Sequence, residues 1–160
     1  MSTIRCGIGY DAHRLAADRQ LILGGVAIAH PRGLEGHSDA DVLAHAIADA
    51  MLGAICAGDI GQHFPNTDES IRGISSIDIL KRVTALLGGK KARVVNVDAT
   101  IIAEAPKIAP HISAMRKKIA AAIGTAESSV SIKATTNEKL GALGRGEGIA
   151  AMAIATVEQG

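Results

Sequence analysis

Residues 7–15 read Gly7-Ile8-Gly9-Tyr10-Asp11-Ala12-His13-Arg14-Leu15, and residues 37–45 read His37-Ser38-Asp39-Ala40-Asp41-Val42-Leu43-Ala44-His45. Side chains alternate faces along an extended strand, so Asp11 and His13 share one side of it. The second stretch opens a helix over about 39–56, with Ser38 as candidate N-cap and Asp41 completing a capping-box-like pattern. Leu43, Ile47, Ala50 and Ala54 give this helix an apolar stripe, and Gly58 is its expected stop. A helix carrying His45 towards a strand carrying Asp11 and His13 assembles a carboxylate and two imidazoles with one position open. That donor set suits a catalytic zinc ion better than a closed structural one. Taken alone, Asp-x-His is also how a strand displays a hydrogen-bonded surface or core histidine. Asp41, His45 and Asp49 lie at i, i+4 and i+8 on one helix face. They read either as a solvated polar stripe or as a ligand flanked by orienting acids.

Outward from these stretches, residues 3–10 read as a strand, and Leu21–Leu23 and Val26–Ile28 as a hairpin turning at Gly24-Gly25. A Pro/Gly loop spans 30–36, and a polar loop with the only Phe spans 59–68. A second helix is expected over 74–87, ended by Gly88-Gly89. A strand over 91–103 turns Val95, Val97, Ala99, Ile101 and Ala103 to one face and Asn96, Asp98 and Thr100, between Val94 and Ile102, to the other. Pro106 then opens a helix over 107–122. Strands over 130–136 and 148–157 flank a Gly-rich turn region. Interleaved strands and helices predict an α/β fold (an α+β sandwich), with a mixed β-sheet and helices on one face. The other face needs cover, and oligomerisation is the expected source.

At 160 residues the chain is expected to form a single domain, 1–160. Apolar residues make up 48% of it, yet it has one Tyr, one Phe and no Trp, so Ala, Ile, Val and Leu must build the core. A net charge of +1 argues against nucleic-acid binding. No stretch reaches the ~18–20 apolar residues of a membrane span, and no signal peptide is evident. Cys6 and Cys56 read as free, buried thiols of a reducing compartment, so a cytoplasmic location is expected.

A second group of residues suits a phosphorylated ligand. Thr135 and Thr136 offer hydroxyls at a strand end, and Glu138 beside them offers a carboxylate for a hard cation such as Mg²⁺. A strand terminus with Thr chosen for β propensity explains the same residues without a ligand. Ala103-Glu104-Ala105-Pro106-Lys107 is either a plain turn or a place where backbone reads a base edge and Lys107 a phosphate. Arg145, between Gly144 and Gly146, is an anion contact or a loop residue.

Together these motifs closely resemble those of the 2-C-methyl-D-erythritol 2,4-cyclodiphosphate synthases, from about Arg5 to Val157. The resemblance rests on 7–13, 37–45, Asp49-Ala50-Met51-Leu52-Gly53-Ala54, Gly58-Asp59-Ile60-Gly61-Gln62-His63-Phe64-Pro65, 103–107, Lys133-Ala134-Thr135-Thr136 and 144–148. It implies a metal-dependent phosphorus–oxygen lyase of the non-mevalonate isoprenoid pathway. Its substrate, 4-diphosphocytidyl-2-C-methyl-D-erythritol 2-phosphate, closes on itself to the 2,4-cyclodiphosphate and releases CMP. The resemblance further implies Zn²⁺ on Asp11, His13 and His45, and Mg²⁺ or Mn²⁺ on Glu138 bridging the diphosphate. It assigns transition-state stabilisation to His37 and Thr136. Substrate contacts fall on Asp11, His13, His37, Ser38, Asp59, Ile60, Gly61, and on Phe64, Pro65, Asn66, Thr67 and Asp68 of a covering loop. Ala103, Pro106, Lys107, Ala134, Thr135, Thr136, Asn137 and Arg145 complete them on the cytidine and phosphate side. Finally, it implies a homotrimer with each site at a subunit junction. Tyr10, Asn66 and Ala142-Leu143 depart from the residues common at those positions. A non-haem iron oxygenase, using two His and one carboxylate, and a non-catalytic nucleotide-binding trimer are the rival classes. Oxygen consumption would mark the first, and indifference to loss of Asp11, His13 or His45 the second.

Overall fold

Two glycines set how the layers stack. The computed structural model describes residues 1–160. Strand β1 (Thr3–Ala17) lies directly on helix α1 (Val42–Ala54). A Cβ placed on Gly7 would stand 2.0 Å from the Ala50 carbonyl oxygen, and one on Gly9 1.9 Å from that of Ala46. Only hydrogen fits there, so the strand backbone touches the helix backbone. Gly7, Gly9, Asp11 and His13 share a face by alternation. The contact that seats the glycines therefore carries the acid and the imidazole to the opening turns of α1.

The rest of the sheet builds on β1. The hairpin strands β2 (Leu21–Leu23) and β3 (Val26–Ile28) pair as the Gly24-Gly25 turn predicts. The 30–36 loop contains a short strand, β4 (Arg32–Leu34), paired antiparallel to the end of β1. Then follow α2 (Ile60–His63), α3 (Ser76–Gly89), β5 (Ala92–Ile102), α4 (Ile112–Ile123), β6 (Val130–Thr135), α5 (Gly141–Gly144) and β7 (Gly148–Gln159). The five-stranded sheet has the order β4-β1-β7-β5-β6. Only β5 and β6 run parallel; β7 is antiparallel to both β1 and β5. This is the mixed α/β architecture expected, with α1, α3 and α4 covering one face.

Forty buried apolar residues form one contiguous cluster, made of Leu, Ile, Val, Ala and Met without an aromatic. Phe64 packs at its edge. Across the sheet, Ile4, Ile8, Tyr10, Met152 and Ile154 stand exposed on the side that no helix covers.

Several local expectations are corrected. The cap of α1 is Asp41, which accepts from the backbone N–H of Leu43 and Ala44, whereas Ser38 turns its hydroxyl to His45 and Ala40 N. β1 runs to Ala17 because β7 and β4 both pair with it. A bulge between Val94 and Asn96 displaces Val95, so Val94 joins the buried face. Pro106 follows a cis peptide bond in the turn after β5, and the first-turn proline is Pro110, in the 3-10 segment Ala109–His111 before α4. Cys6 and Cys56 are free but exposed, Cys6 on the uncovered sheet face and Cys56 past the end of α1.

Candidate metal centre

Asp11, His13 and His45 come together as β1 and α1 cross. Asp11 Oδ2 stands 3.0 Å from His13 Nε2 and 2.9 Å from His45 Nδ1, and all three donor atoms lie within 4.8 Å of one another. Each side chain is only partly exposed, His45 least. Both ring orientations are held from behind. His13 Nδ1 is 2.6 Å from the Glu35 carbonyl oxygen. A carbonyl only accepts, so Nδ1 carries the proton and Nε2 presents its lone pair to the centre. His45 Nε2 meets the hydroxyls of Ser38 at 3.1 Å and Ser76 at 2.9 Å, so Nδ1 is the atom facing Asp11.

Electrostatics agree with a cation here. Burial raises the Asp11 carboxyl, but without an ion the His13 and His45 imidazoles each give it a proton to share, and those hydrogen bonds and their charge outweigh burial and hold it well below the usual carboxylate range. The Asp11 carboxylate in turn raises the His13 imidazole above its ordinary value. Three Lewis bases at hydrogen-bond distance need positive charge among them. One carboxylate and two imidazoles with a side open to a cavity are a donor set that fits zinc.

That cavity holds about 240 Å³ and is lined by Asp11, His13, His37, Ser38, His45, Ile60, Gly61, Phe64 and Asn66 with a floor of isoleucines. The buried Nε2 of His37 has no hydrogen-bond partner in the chain. Asp59 stands beside the cavity as the cap of α2, accepting from Gln62 N at 3.0 Å. Asp68 caps the 3-10 segment Glu69–Ile71, and Pro65, Thr67 and Asp68 are exposed on the loop. Asp49 does not touch His45: its carboxylate accepts from Ile60 N at 2.7 Å and so ties α1 to α2. Burial pushes that carboxyl up.

The second group gathers elsewhere, at the ends of β5 and β6. Ala103 N donates to Thr135 O at 3.0 Å, which sets Ala103, Pro106 and Lys107 beside Ala134, Thr135 and Thr136. The Thr136 hydroxyl donates to Glu138 at 3.1 Å. Glu138 and Lys139 both have left-handed backbone. Their turn is held by Glu104, whose carboxylate accepts from Asn137 N at 2.8 Å and Lys139 N at 3.3 Å. No local pattern in the sequence marks Glu104 or Ser76, since each acts on a residue more than thirty positions away. Arg145 pairs with Glu147 after α5 and joins neither group.

Comparison with known proteins follows the same lines. A family model described as the YgbB family matches residues 4–158. The 2-C-methyl-D-erythritol 2,4-cyclodiphosphate synthase of Alkaliphilus oremlandii is 58% identical over 154 residues, covering 96% of this chain and 98% of its own length. That of Thiobacillus denitrificans is 56% identical over 160 residues, 100% of both chains. Among solved structures, the CDP complex of IspF from Plasmodium falciparum superposes with a TM-score of 0.85 at 34% identity, covering 98% of this chain and 96% of that one. The bifunctional IspDF of Campylobacter jejuni superposes with a TM-score of 0.95 at 37% identity, over 100% of this chain and 43% of that one.

Proposed function

The chain belongs to the YgbB family, and from that premise we propose the following reaction and division of roles. It has the cyclodiphosphate synthase activity for which its relatives are named. The 2-phosphate of 4-diphosphocytidyl-2-C-methyl-D-erythritol 2-phosphate attacks the β-phosphorus through one of its oxygens. A new P–O bond closes the eight-membered ring as the bond from the β-phosphorus to the bridging oxygen breaks. CMP leaves with that oxygen and its electron pair. The nucleophile belongs to the substrate, so the protein's task is positioning and charge stabilisation.

Asp11, His13 and His45 are the residues for Zn²⁺, and Glu138 is the residue for Mg²⁺ or Mn²⁺. Bound there, the two cations supply the positive charge that offsets phosphate charge in the transition state. His37 lines the same cavity and its buried Nε2 has no partner within the chain, which suits it to a phosphate oxygen, and Ser38 offers a hydroxyl beside it. Asp59, Ile60 and Gly61 suit the hydroxyls of the methylerythritol, and residues 64–68 close over it. The cytidine and its phosphates belong with Ala103, Pro106, Lys107 and 134–137. Thr136 is assigned to transition-state stabilisation beside Glu138, and Arg145 to an outlying anion contact.

We assign this work to a homotrimer in the cytoplasm. The two groups occupy different faces in one chain. Asp11 and His13 point to the helical side, whereas Thr135 lines the uncovered side with Ile8, Ile102 and Met152. A neighbouring copy seated on that face supplies the missing half. No helix is long and apolar enough to cross a membrane.

The observation that carries this reading is the convergence of Asp11, His13 and His45 at the cavity wall. The test is a single-turnover assay on purified protein with zinc analysis of the same sample. CMP and cyclodiphosphate in equal amounts are expected; intact substrate with zinc present would reject the assignment.

A further inference from the structure

His45 is the one metal-centre residue whose outer nitrogen faces side chains rather than backbone. Two hydroxyls reach its Nε2, Ser76 at 2.9 Å and Ser38 at 3.1 Å, and a neutral imidazole has one proton to give. The hydrogen-bond accounts of the two serines differ. Ser76 is fully buried at the first residue of α3 and gives its hydroxyl proton to Asp39 Oδ1. Its backbone N–H donates to Asp39 Oδ2 at 2.9 Å, so the carboxylate grips Ser76 at both ends. With that proton committed, the Ser76 oxygen faces Nε2 as an acceptor. Ser38 instead accepts from Ala40 N at 3.1 Å, and no acceptor other than His45 Nε2 or the cavity faces its own proton.

We infer that Ser76, gripped by Asp39, is a positioning residue: it takes the Nε2 proton of His45 and thereby fixes the tautomer whose Nδ1 lone pair faces Asp11 and His13. The direction runs from His45 Nε2–H to Ser76, and from the Ser76 hydroxyl to Asp39. Carboxylates that orient metal-binding imidazoles usually touch the ring itself; here a serine stands between. Ser38 is left free to donate its proton into the cavity. The start of α3 is thereby joined to a site built on β1 and α1, and the inference rests on the metal reading of Asp11, His13 and His45.

The test uses zinc-loaded protein labelled with ¹⁵N-histidine. Long-range ¹H–¹⁵N spectra of the parent are expected to show His45 with Nε2 protonated and Nδ1 bound to the ion. A parent without bound zinc overturns the metal reading and this inference together. Bound zinc with His45 ligating through Nε2, or with Nε2 unprotonated, overturns the inference alone. Chelator competition then measures zinc affinity in variants. Ser76→Ala is expected to lose about 10–100-fold, and Ser76→Thr, which keeps the hydroxyl, to recover most of it. Ser38→Ala is expected to stay close to the parent in zinc affinity. Parent-like affinity in Ser76→Ala, no recovery in Ser76→Thr, or an equal loss in Ser38→Ala would each overturn the assignment.

Discussion

At His13 and His45, removing one imidazole leaves two ligand atoms where three converged within 4.8 Å. His13→Ala or His45→Ala is therefore expected to lose most bound zinc and at least roughly a hundredfold in activity, with the far-UV spectrum unchanged. Zinc stoichiometry by mass spectrometry checks it, and full zinc with full activity would contradict it. Glu138 is the proposed ligand of the other cation. Glu138→Gln keeps the shape of the turn but offers a neutral amide to a hard ion. Zinc content should hold while the Mg²⁺ needed for half-maximal activity rises on the order of tenfold, equivalent to about 1.4 kcal/mol; an unchanged Mg²⁺ titration would reject the role. The residues behind these predictions differ in how far the sequence reveals them. Asp11 and His13 are legible because strand alternation is a local rule, and His45 because its helix is strongly patterned. Glu104 and Ser76 are not legible, because what they hold lies 33 and 31 residues away and no local period relates them.

Helix α1 shows at the scale of an element where local rules stop. Residues 38–41 offer three capping side chains within four positions, and tertiary partners decide among them. Ser38 accepts from Ala40 N and Asp39 is taken by Ser76, which leaves Asp41 as the cap. Asp41 is fully buried and also accepts from Gly24 N at 2.9 Å and Gly25 N at 2.7 Å, so it joins the β2–β3 hairpin to the helix start. The hairpin itself was legible from its glycines; its anchor was not. The contact of β1 with α1 gives a sharper test. At Gly9 a methyl group would meet helix backbone, which has no rotamer to yield. Gly9→Ala should cost at least about 1–3 kcal/mol and displace α1 from β1. A lower denaturant midpoint together with lost zinc is expected, and a parent-like midpoint would show that the layers can part cheaply. Across β5 and β6, the Lys133 ammonium beside Asp98 holds that carboxyl below its ordinary range. A depressed folded pKa stabilises above the unfolded value of about 3.9 and is lost as pH falls through the lower folded one. In the single chain the pair is half exposed, so its worth there is at most about 1 kcal/mol. Urea midpoints at neutral and acid pH should fall further for the parent than for Asp98→Asn; equal falls would remove the pair from the acid response.

For the molecule as a whole, the proposed site falls into two groups of residues that a single chain holds apart. The cavity beside Asp11, His13 and His45 is lined by none of Lys107, Thr135, Thr136 or Glu138. The sheet stands between them, with His13 on its helical side and Thr135 on the side where Ile8, Tyr10, Met152 and Ile154 are exposed. The sequence indicates an uncovered face, because the predicted helices suffice for one side only; which group points to which side required the β1–β7–β5–β6 register. In the proposed homotrimer, three such faces packed about one axis would form a closed, symmetric ring that buries the apolar side chains. That ring would also set the β5–β6 ends of one subunit against the metal centre of the next. The shared site is testable by complementation. A His45→Ala subunit lacks the metal half, and a Thr136→Ala, Glu138→Gln subunit lacks the phosphate half; each homotrimer should be inactive. After subunit exchange, some junctions in mixed rings receive an intact metal half from one parent and an intact phosphate half from the other. Activity should then rise above the sum of the two parents, in step with the mixed trimers counted by native mass spectrometry. If both halves of a site came from one chain, every junction would keep a defect. Exchange without recovered activity would therefore place the whole site within a single subunit.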